Sequence, residues 1–313
     1  MRVNVMIEGQ ESVTWQQWLD IAGAAEDAGL EGLFRSDHYQ SVQARTERSS
    51  LDAWTTLAAL GQATTTIRLG TMVSPTSFRH PSVLCKDVVT ADHVSGGRVE
   101  LGIGAGWHEL EHTTYGFPFH ELGTRYDVFE EQLEIIVRQM TEERFDFRGE
   151  HFTLEGCEAR PKPVQSPHVP IIIGGRAGPR AARLAARWAD EYNTTFPTPE
   201  AVRERKANID RTCEQAGRDP LVFSMMTGCI LGASDDEVRS RGRRLMEHSG
   251  RDGDVDTWLD GLRGEWIVGT PAQAAERLGE YADAGLSRVF LQNQLHDDVE
   301  VIDLMGEVAQ LVA

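Results

Sequence analysis

Lysine is nearly missing from this chain: of its 31 basic residues only Lys86, Lys162 and Lys206 are lysines. An enzyme that forms an imine with a carbonyl substrate needs a lysine where the chemistry happens. Lys86 and Lys206 fall in helical patterns and Lys162 in a proline-rich connector, so imine chemistry is excluded. Positive charge is scarce altogether, with 49 acidic residues and a formal net charge of −18. Such a chain repels nucleic acid and anionic membranes. A small-molecule substrate is the expected partner, and an anionic one needs a locally basic pocket. The four cysteines, Cys85, Cys157, Cys213 and Cys229, form no C-x-x-C pair, which argues against a zinc knuckle or a redox dithiol. Reduced thiols in a cytoplasmic protein are expected. No apolar run reaches the roughly 20 residues of a membrane span. The opening "RVNVMI" is too short for the core of a signal peptide.

What is present is a repeating alternation. Short β-rich runs stand at 3–7, 31–37, 67–73, 98–104, 169–175, 190–195, 221–231 and 287–294. Helical patterns follow them around 14–29, 51–65, 81–95, 125–140, 178–189, 199–217, 235–260 and 298–312. Eight β-then-α units in order imply parallel strands with crossover helices. At 313 residues that number predicts one TIM (β/α)8 barrel domain rather than a doubly wound sheet. Two insertions are expected. Residues 144–168 alternate like a hairpin and run into prolines before the fifth strand. Residues 260–286 add a loop and a helix before the eighth, with Thr270–Pro271 as N-cap and first residue and Gly285 as the stop.

A barrel of this kind carries its active site at the C-terminal ends of the strands, which selects the polar residues to consider. They are Glu8 after strand one, Asp37-His38 after strand two, Ser74 after strand three and Gly104 to Trp107 after strand four. Strand five ends in Gly174-Gly175-Arg176, strand six in Asn193-Thr194-Thr195 and strand eight in Gln292-Asn293-Gln294. The sequence "IIIGGRAGPR" sets two glycines before a helix that opens at Pro179. Backbone N–H groups and the helix dipole there can hold a phosphate, helped by Arg176, Arg180 and Arg183. Alternatively, the glycines make only a tight turn. The run "GIGAG" (102–106) lacks the helix and the acidic residue of a dinucleotide fingerprint, and its glycines are expected to make room for a flat ligand. "HELEH" (108–112) matches a zinc-protease pattern, with His108 and His112 as ligands and Glu109 as base, although "TTYG" breaks it off at once. His38 can hold or move a proton near neutral pH, with Asp37 a possible partner. Glu109 and Glu111 need not face the mouth.

The runs "DHVSGGRVELGIGAGWHELEHTTYGFPF", "RYDVFEEQLEII", "PKPVQSPHVPIIIGGRAGPRAARLAARWADEYN" and "VGTPAQAAERL", with "EGLFRSDHY", resemble the bacterial luciferase-like superfamily. The Asp37-His38 pair resembles its branch that uses the 8-hydroxy-5-deazaflavin coenzyme F420. The resemblance implies a TIM barrel with the coenzyme ring at the C-terminal mouth and its phosphate on Gly174, Gly175 and Arg176. It implies further coenzyme contacts from Asp37, His38, Thr71, Met72, Val73, Gly106 and Trp107, with a non-proline cis bond at Met72–Val73. His38 is the implied catalytic residue. Glu8, Trp107, Asn193 and Gln292 are the expected substrate contacts. Some relatives carry a glutamate where this chain has Trp107, so a sugar-phosphate substrate is in doubt. The coenzyme's oligoglutamate tail would need arginines such as Arg79, Arg176 or Arg180. The expected activity is hydride transfer between F420 and a small organic substrate, in a homodimer by family analogy. The alternatives are an FMN-dependent monooxygenase, a zinc hydrolase on His108 and His112, and a flavin-binding barrel without turnover.

Overall fold

The computed structural model describes residues 1–43, 45 and 47–313. In chain order the elements begin β1 (Arg2–Ile7), α1 (Trp15–Asp27), β2 (Gly32–Arg35), α2 (Ala53–Ala63), β3 (Arg68–Thr71) and β4 (Ser74–Pro75). Then come α3 (Pro81–Ser95), β5 (Val99–Gly104), α4 (Glu109–Tyr115), α5 (Leu122–Thr141), β6 (Phe145–Arg148) and β7 (Thr153–Cys157). They are followed by β8 (Ile171–Gly174), α6 (Pro179–Trp188), β9 (Glu191–Thr195), α7 (Pro199–Gln215), β10 (Val222–Leu231) and α8 (Asp235–His248). The chain ends with α9 (Val255–Leu262), β11 (Ile267–Gly269), α10 (Pro271–Asp283), β12 (Arg288–Asn293) and α11 (Glu300–Leu311).

Strands β12, β1, β2, β3, β5, β8, β9 and β10 pair in parallel in that order, and β10 closes the ring on β12. This is the TIM barrel expected. Its strands are buried almost throughout because side chains of one parity fill the barrel while the others pack under the helices. The insertion before β8 is the antiparallel hairpin β6–β7. Thr270 and Gln273 form a capping box at the start of α10, Pro271 is its first residue, and Gly285 follows its end at φ 99°.

Three short elements depart from the sequence reading. The helical pattern at 235–260 is two helices, α8 and α9, separated by Gly250 and Gly253 at positive φ. Strand β11 adds an edge beside Cys229–Leu231 of β10. A one-turn-scale helix, α4, stands in the "HELEH" segment.

The barrel interior is layered. At the N-terminal end Arg288, only 1% exposed, meets Glu31 at 2.6 Å, Glu100 at 2.7 Å and Glu191 at 2.8 Å. Burial opposes the charge on Glu100, but Arg288 and Arg68 outweigh it and hold that carboxyl below its usual range. Above this plug lie Met6, Phe34, Met72, Ile172, Met226 and Phe290. Phe34 and Phe290 meet edge to face at 4.8 Å, with the Arg288 guanidinium under both rings. The apolar layer separates the plug from the open end, where the polar strand ends gather.

Candidate active site

The C-terminal mouth encloses a cavity of about 700 Å³, within the range of small-molecule sites. Glu8, His38, Met72, Val73, Gly106 and Trp107 line it. So do Gly174, Gly175, Arg176, Asn193 and Gln292. Asp37 and Thr71 do not. Asp37 is fully buried and accepts hydrogen bonds from Ser74 Oγ at 2.6 Å and from Arg79 at 2.6 Å and 3.3 Å. Neighbours on an extended chain point to opposite sides, so Asp37 turns outward where His38 turns in. Thr71 Oγ1 donates to Gly102 O at 2.8 Å and ties β3 to β5.

The partner of His38 is instead Glu111, whose Oε2 lies 2.7 Å from His38 Nδ1. Helix α4 supplies Glu111 with a side chain that has no solvent exposure. Its other oxygen accepts the backbone N–H of Tyr39 and, at 3.1 Å, that of Gln40. Burial disfavours a charged His38, but the Glu111 carboxylate outweighs it and raises the imidazole pKa. The same contacts lower that of Glu111 against its own burial. Among the described residues His38 Nε2 has no protein partner. Trp107, 64% exposed, presents its ring edge-on to His38 at 5.8 Å.

This arrangement also accounts for "HELEH". His112 Nε2 pairs with Ser77 Oγ at 2.6 Å and its Nδ1 with His108 O at 2.7 Å, leaving neither ring nitrogen for a metal. No cluster of three metal-ligating side chains is found among the described residues. The zinc hydrolase reading therefore loses its carrier.

The glycines of β5 answer to packing. A Cβ on Gly102 would stand 2.0 Å from Thr71 O, and one on Gly104 would stand 3.0 Å from Val73 Cγ2. Gly102 admits the neighbouring strand, whereas Gly104 and Gly106 of the same run line the cavity. Val73 then lies between Gly104 and Gly174 on the cavity floor, and the Met72–Val73 bond is cis.

At the β8 turn the anion-binding groups differ from those expected. The Gly175 N–H donates to Asn193 O at 2.9 Å and the Ala177 N–H to Tyr192 Oη at 2.7 Å. Helix α6 starts at Gly178 with no side-chain cap, so its first-turn N–H groups remain uncommitted. Arg176 is exposed and has no ion pair or hydrogen bond among the described residues. Arg79 is locked on Asp37 and Asp52, and Arg180 on Asp127 and Glu130. Of the three arginines expected along a tail, only Arg176 remains available. A flavin-type phosphate fits here, on Arg176 and the uncapped helix end.

Opposite this turn the floor carries Glu8, which accepts from Gln10 Nε2 at 2.6 Å and from Gln292 Nε2. Gln294 donates to Gln292 Oε1 at 3.1 Å. Asn193 donates to Ser224 Oγ at 2.9 Å, and its buried Oδ1 has no partner. Sequence reading missed Glu111, His248 and His296 as site residues. The strand-end filter stopped at Gln294, and nothing local marked residues on helix ends or in α4 as facing the mouth.

A family model described as luciferase-like monooxygenase matches residues 1–288. An uncharacterized protein of Mycobacterium tuberculosis is 35% identical over 172 residues, 55% of this chain and 59% of that relative. The chain thus spans about 59% of the length of the mycobacterial relatives it matches. An F420-dependent glucose-6-phosphate dehydrogenase of Microbacterium testaceum is 28% identical, covering 92% of this chain and 90% of the relative. Among solved structures, an F420-dependent secondary alcohol dehydrogenase with an F420–acetone adduct superimposes with a TM-score of 0.84. It is 20% identical and covers 100% of this chain and 99% of that one. A type II Baeyer–Villiger monooxygenase of Pseudomonas putida with FMN superimposes with a TM-score of 0.80, at 18% identity over 100% and 98% of the two chains. At these identities the structures establish the fold alone. With the family model spanning nearly the whole barrel, the chain belongs to the luciferase-like monooxygenase family of oxidoreductases.

Proposed function

We propose that this chain transfers hydride between the deazaflavin coenzyme F420 and a small organic substrate. The observation that carries the reading is the His38–Glu111 pair at the barrel mouth, 2.7 Å apart, with Nε2 left open toward the cavity. When bound, the deazaflavin would accept or donate hydride at its carbon 5. Moving hydride to or from an alcohol or carbonyl leaves one proton to be handled, and a fixed imidazole is suited to that task. Glu111 fixes the orientation of the ring and favours its protonated form. His38 Nε2 then takes the hydroxyl proton in oxidation and returns it in reduction. Arg176 and the first turn of α6 would hold the coenzyme phosphate, and the apolar floor of Met72, Val73 and Met226 keeps water from beneath the ring site.

Of the relatives named above, two are F420-dependent and support this coenzyme, whereas one holds FMN and supports the flavin alternative. Separate titrations with F420 and FMN, read by fluorescence or calorimetry, decide between them. We expect F420 to bind at least about tenfold more tightly, a difference of about 1.4 kcal/mol. FMN binding more tightly would replace this reading with the flavin monooxygenase one.

A further inference from the structure

The cavity has a second, polar end that the coenzyme reading leaves unused. In the closed ring β8 lies diametrically across from β1, so Gly174 to Arg176 occupy one side of the mouth. Glu11, Gln43, His248, Gln294 and His296 line the other, above Glu8 and Gln292. His296 is 7% exposed, and its buried Nε2 has no hydrogen-bond partner among the described residues. A buried polar atom left without a partner costs stability unless a bound group satisfies it. Gln294, Gln292 and Glu8 form a directed chain in which each amide donates to the next acceptor.

The charge of this end is equally specific. Among the described residues Arg176 is the only lysine or arginine that lines the cavity, and it stands on the side of the β8 turn. Arg48 approaches from behind, but it is paired with Glu11 and donates to His248 O at 3.3 Å. Glu11 in turn is filled by Arg48, Ser41 Oγ at 2.9 Å and the Val42 N–H at 3.2 Å. Among the described residues Glu8 accepts from the neutral amides of Gln10 and Gln292 and forms no ion pair, so its carboxylate faces the cavity. Burial lowers the pKa of His248, and it pulls His296 down to about 4, with His248 and Arg48 adding to the effect. Both imidazoles are neutral at pH 7. A phosphate ester placed here would meet the Glu8 carboxylate and no lysine or arginine, whereas hydroxyl and carbonyl groups would meet donors and acceptors at hydrogen-bonding positions.

Resting on the coenzyme reading above, we infer that this end is the substrate subsite and that it takes an uncharged alcohol or carbonyl compound bearing hydroxyl groups, not a phosphate ester. Glu8 is the residue that determines this preference, with Gln292, Gln294 and His296 beside it.

The test uses calorimetry on the whole chain loaded with whichever of F420 and FMN binds. The probes are matched pairs: glycerol and glycerol 3-phosphate, glucose and glucose 6-phosphate, propan-2-ol and isopropyl phosphate. At least one uncharged member should bind about tenfold or more tightly than its ester. Glu8→Gln should erase that preference while leaving coenzyme affinity unchanged. If Glu8→Gln fails to bind coenzyme, Glu8→Ala takes its place with the same expectation. Absence of a tenfold preference for an uncharged member in every pair overturns the subsite, as does an unaltered preference in the folded variant. F420 binding without that preference refutes the subsite alone. FMN binding in place of F420 refutes the coenzyme reading alone, and binding of neither refutes both.

Discussion

The chemistry at the mouth turns on which carboxylate touches His38. Asp37 is its neighbour in the chain, but it serves Arg79 and Ser74, and Glu111, 73 residues away, supplies the contact. Glu111 raises the His38 pKa and has its own lowered. For alcohol oxidation His38 must be neutral to accept a proton, so the rate should rise with pH through the raised pKa. Glu111→Gln removes the charge that favours imidazolium but keeps an acceptor for the Tyr39 and Gln40 N–H groups. We expect the acid limb of the kcat profile to move to lower pH and the plateau to fall, in steady-state assays across pH 5 to 9. The same pair is linked to stability. A raised histidine pKa contributes fully below its unfolded value near 6.5 and is lost as pH rises through the folded value. A lowered glutamate pKa contributes fully above 4.5 and is lost as pH falls through the folded value. The pair therefore stabilises most between those two values, and Glu111→Gln should flatten thermal stability across that window.

The β8–α6 turn combines a strand end, two glycines and a helix without a side-chain cap. Gly175 adopts φ 150°, which glycine accepts readily, and its N–H is spent on β9. On the proposed reading a coenzyme phosphate would fall to Arg176 and to the α6 end, where the partial positive charge of the helix adds to that of the guanidinium. Because Arg176 has no ion pair or hydrogen bond among the described residues, Arg176→Ala should cost no stability. Its loss should weaken coenzyme binding by about 1.5–3 kcal/mol, the worth of hydrogen bonds to charged groups, roughly ten- to a hundredfold. A melting curve measures the first effect and fluorescence titration the second. An unchanged coenzyme affinity would move the phosphate elsewhere. Helix α4 shows how a short element carries a site that periodicity overlooks. Its seven residues are too few for a helical pattern, yet they set Glu111 behind His38 and place His112 where His108 O and Ser77 Oγ occupy its two ring nitrogens.

Across the whole barrel, one buried cation holds the N-terminal end closed. Arg288 neutralises carboxylates arriving from β5 and β9 and from the turn before β2. Removing one partner of a buried ion pair leaves the others uncompensated, at a cost of about 3–5 kcal/mol. Arg288→Met should accordingly lower the melting temperature by several degrees in calorimetry, with the coenzyme cavity intact. Arg288 holds down the pKa values of Glu100 and Glu191 against their burial, so without it the loss should shrink as pH falls and these carboxyls protonate. A melting temperature equal to that of the parent at neutral pH would show that the plug contributes nothing.

The eight βα units, both large insertions and the mouth position of Glu8, His38, Gly174 and Gln292 were legible in the chain, because parallel strands and crossover helices impose periodicities that run over many residues. The pairing of His38 with Glu111, the burial of Asp37 and Thr71, the commitment of Arg79 and Arg180, and the unpartnered His296 were not. Each depends on contacts between segments distant in sequence, brought together only when the ring closes, and on alternation that sends adjacent side chains to opposite faces. Local pattern set the barrel and its open end. Long-range packing chose which charges there are spent on the fold and which are left for a ligand.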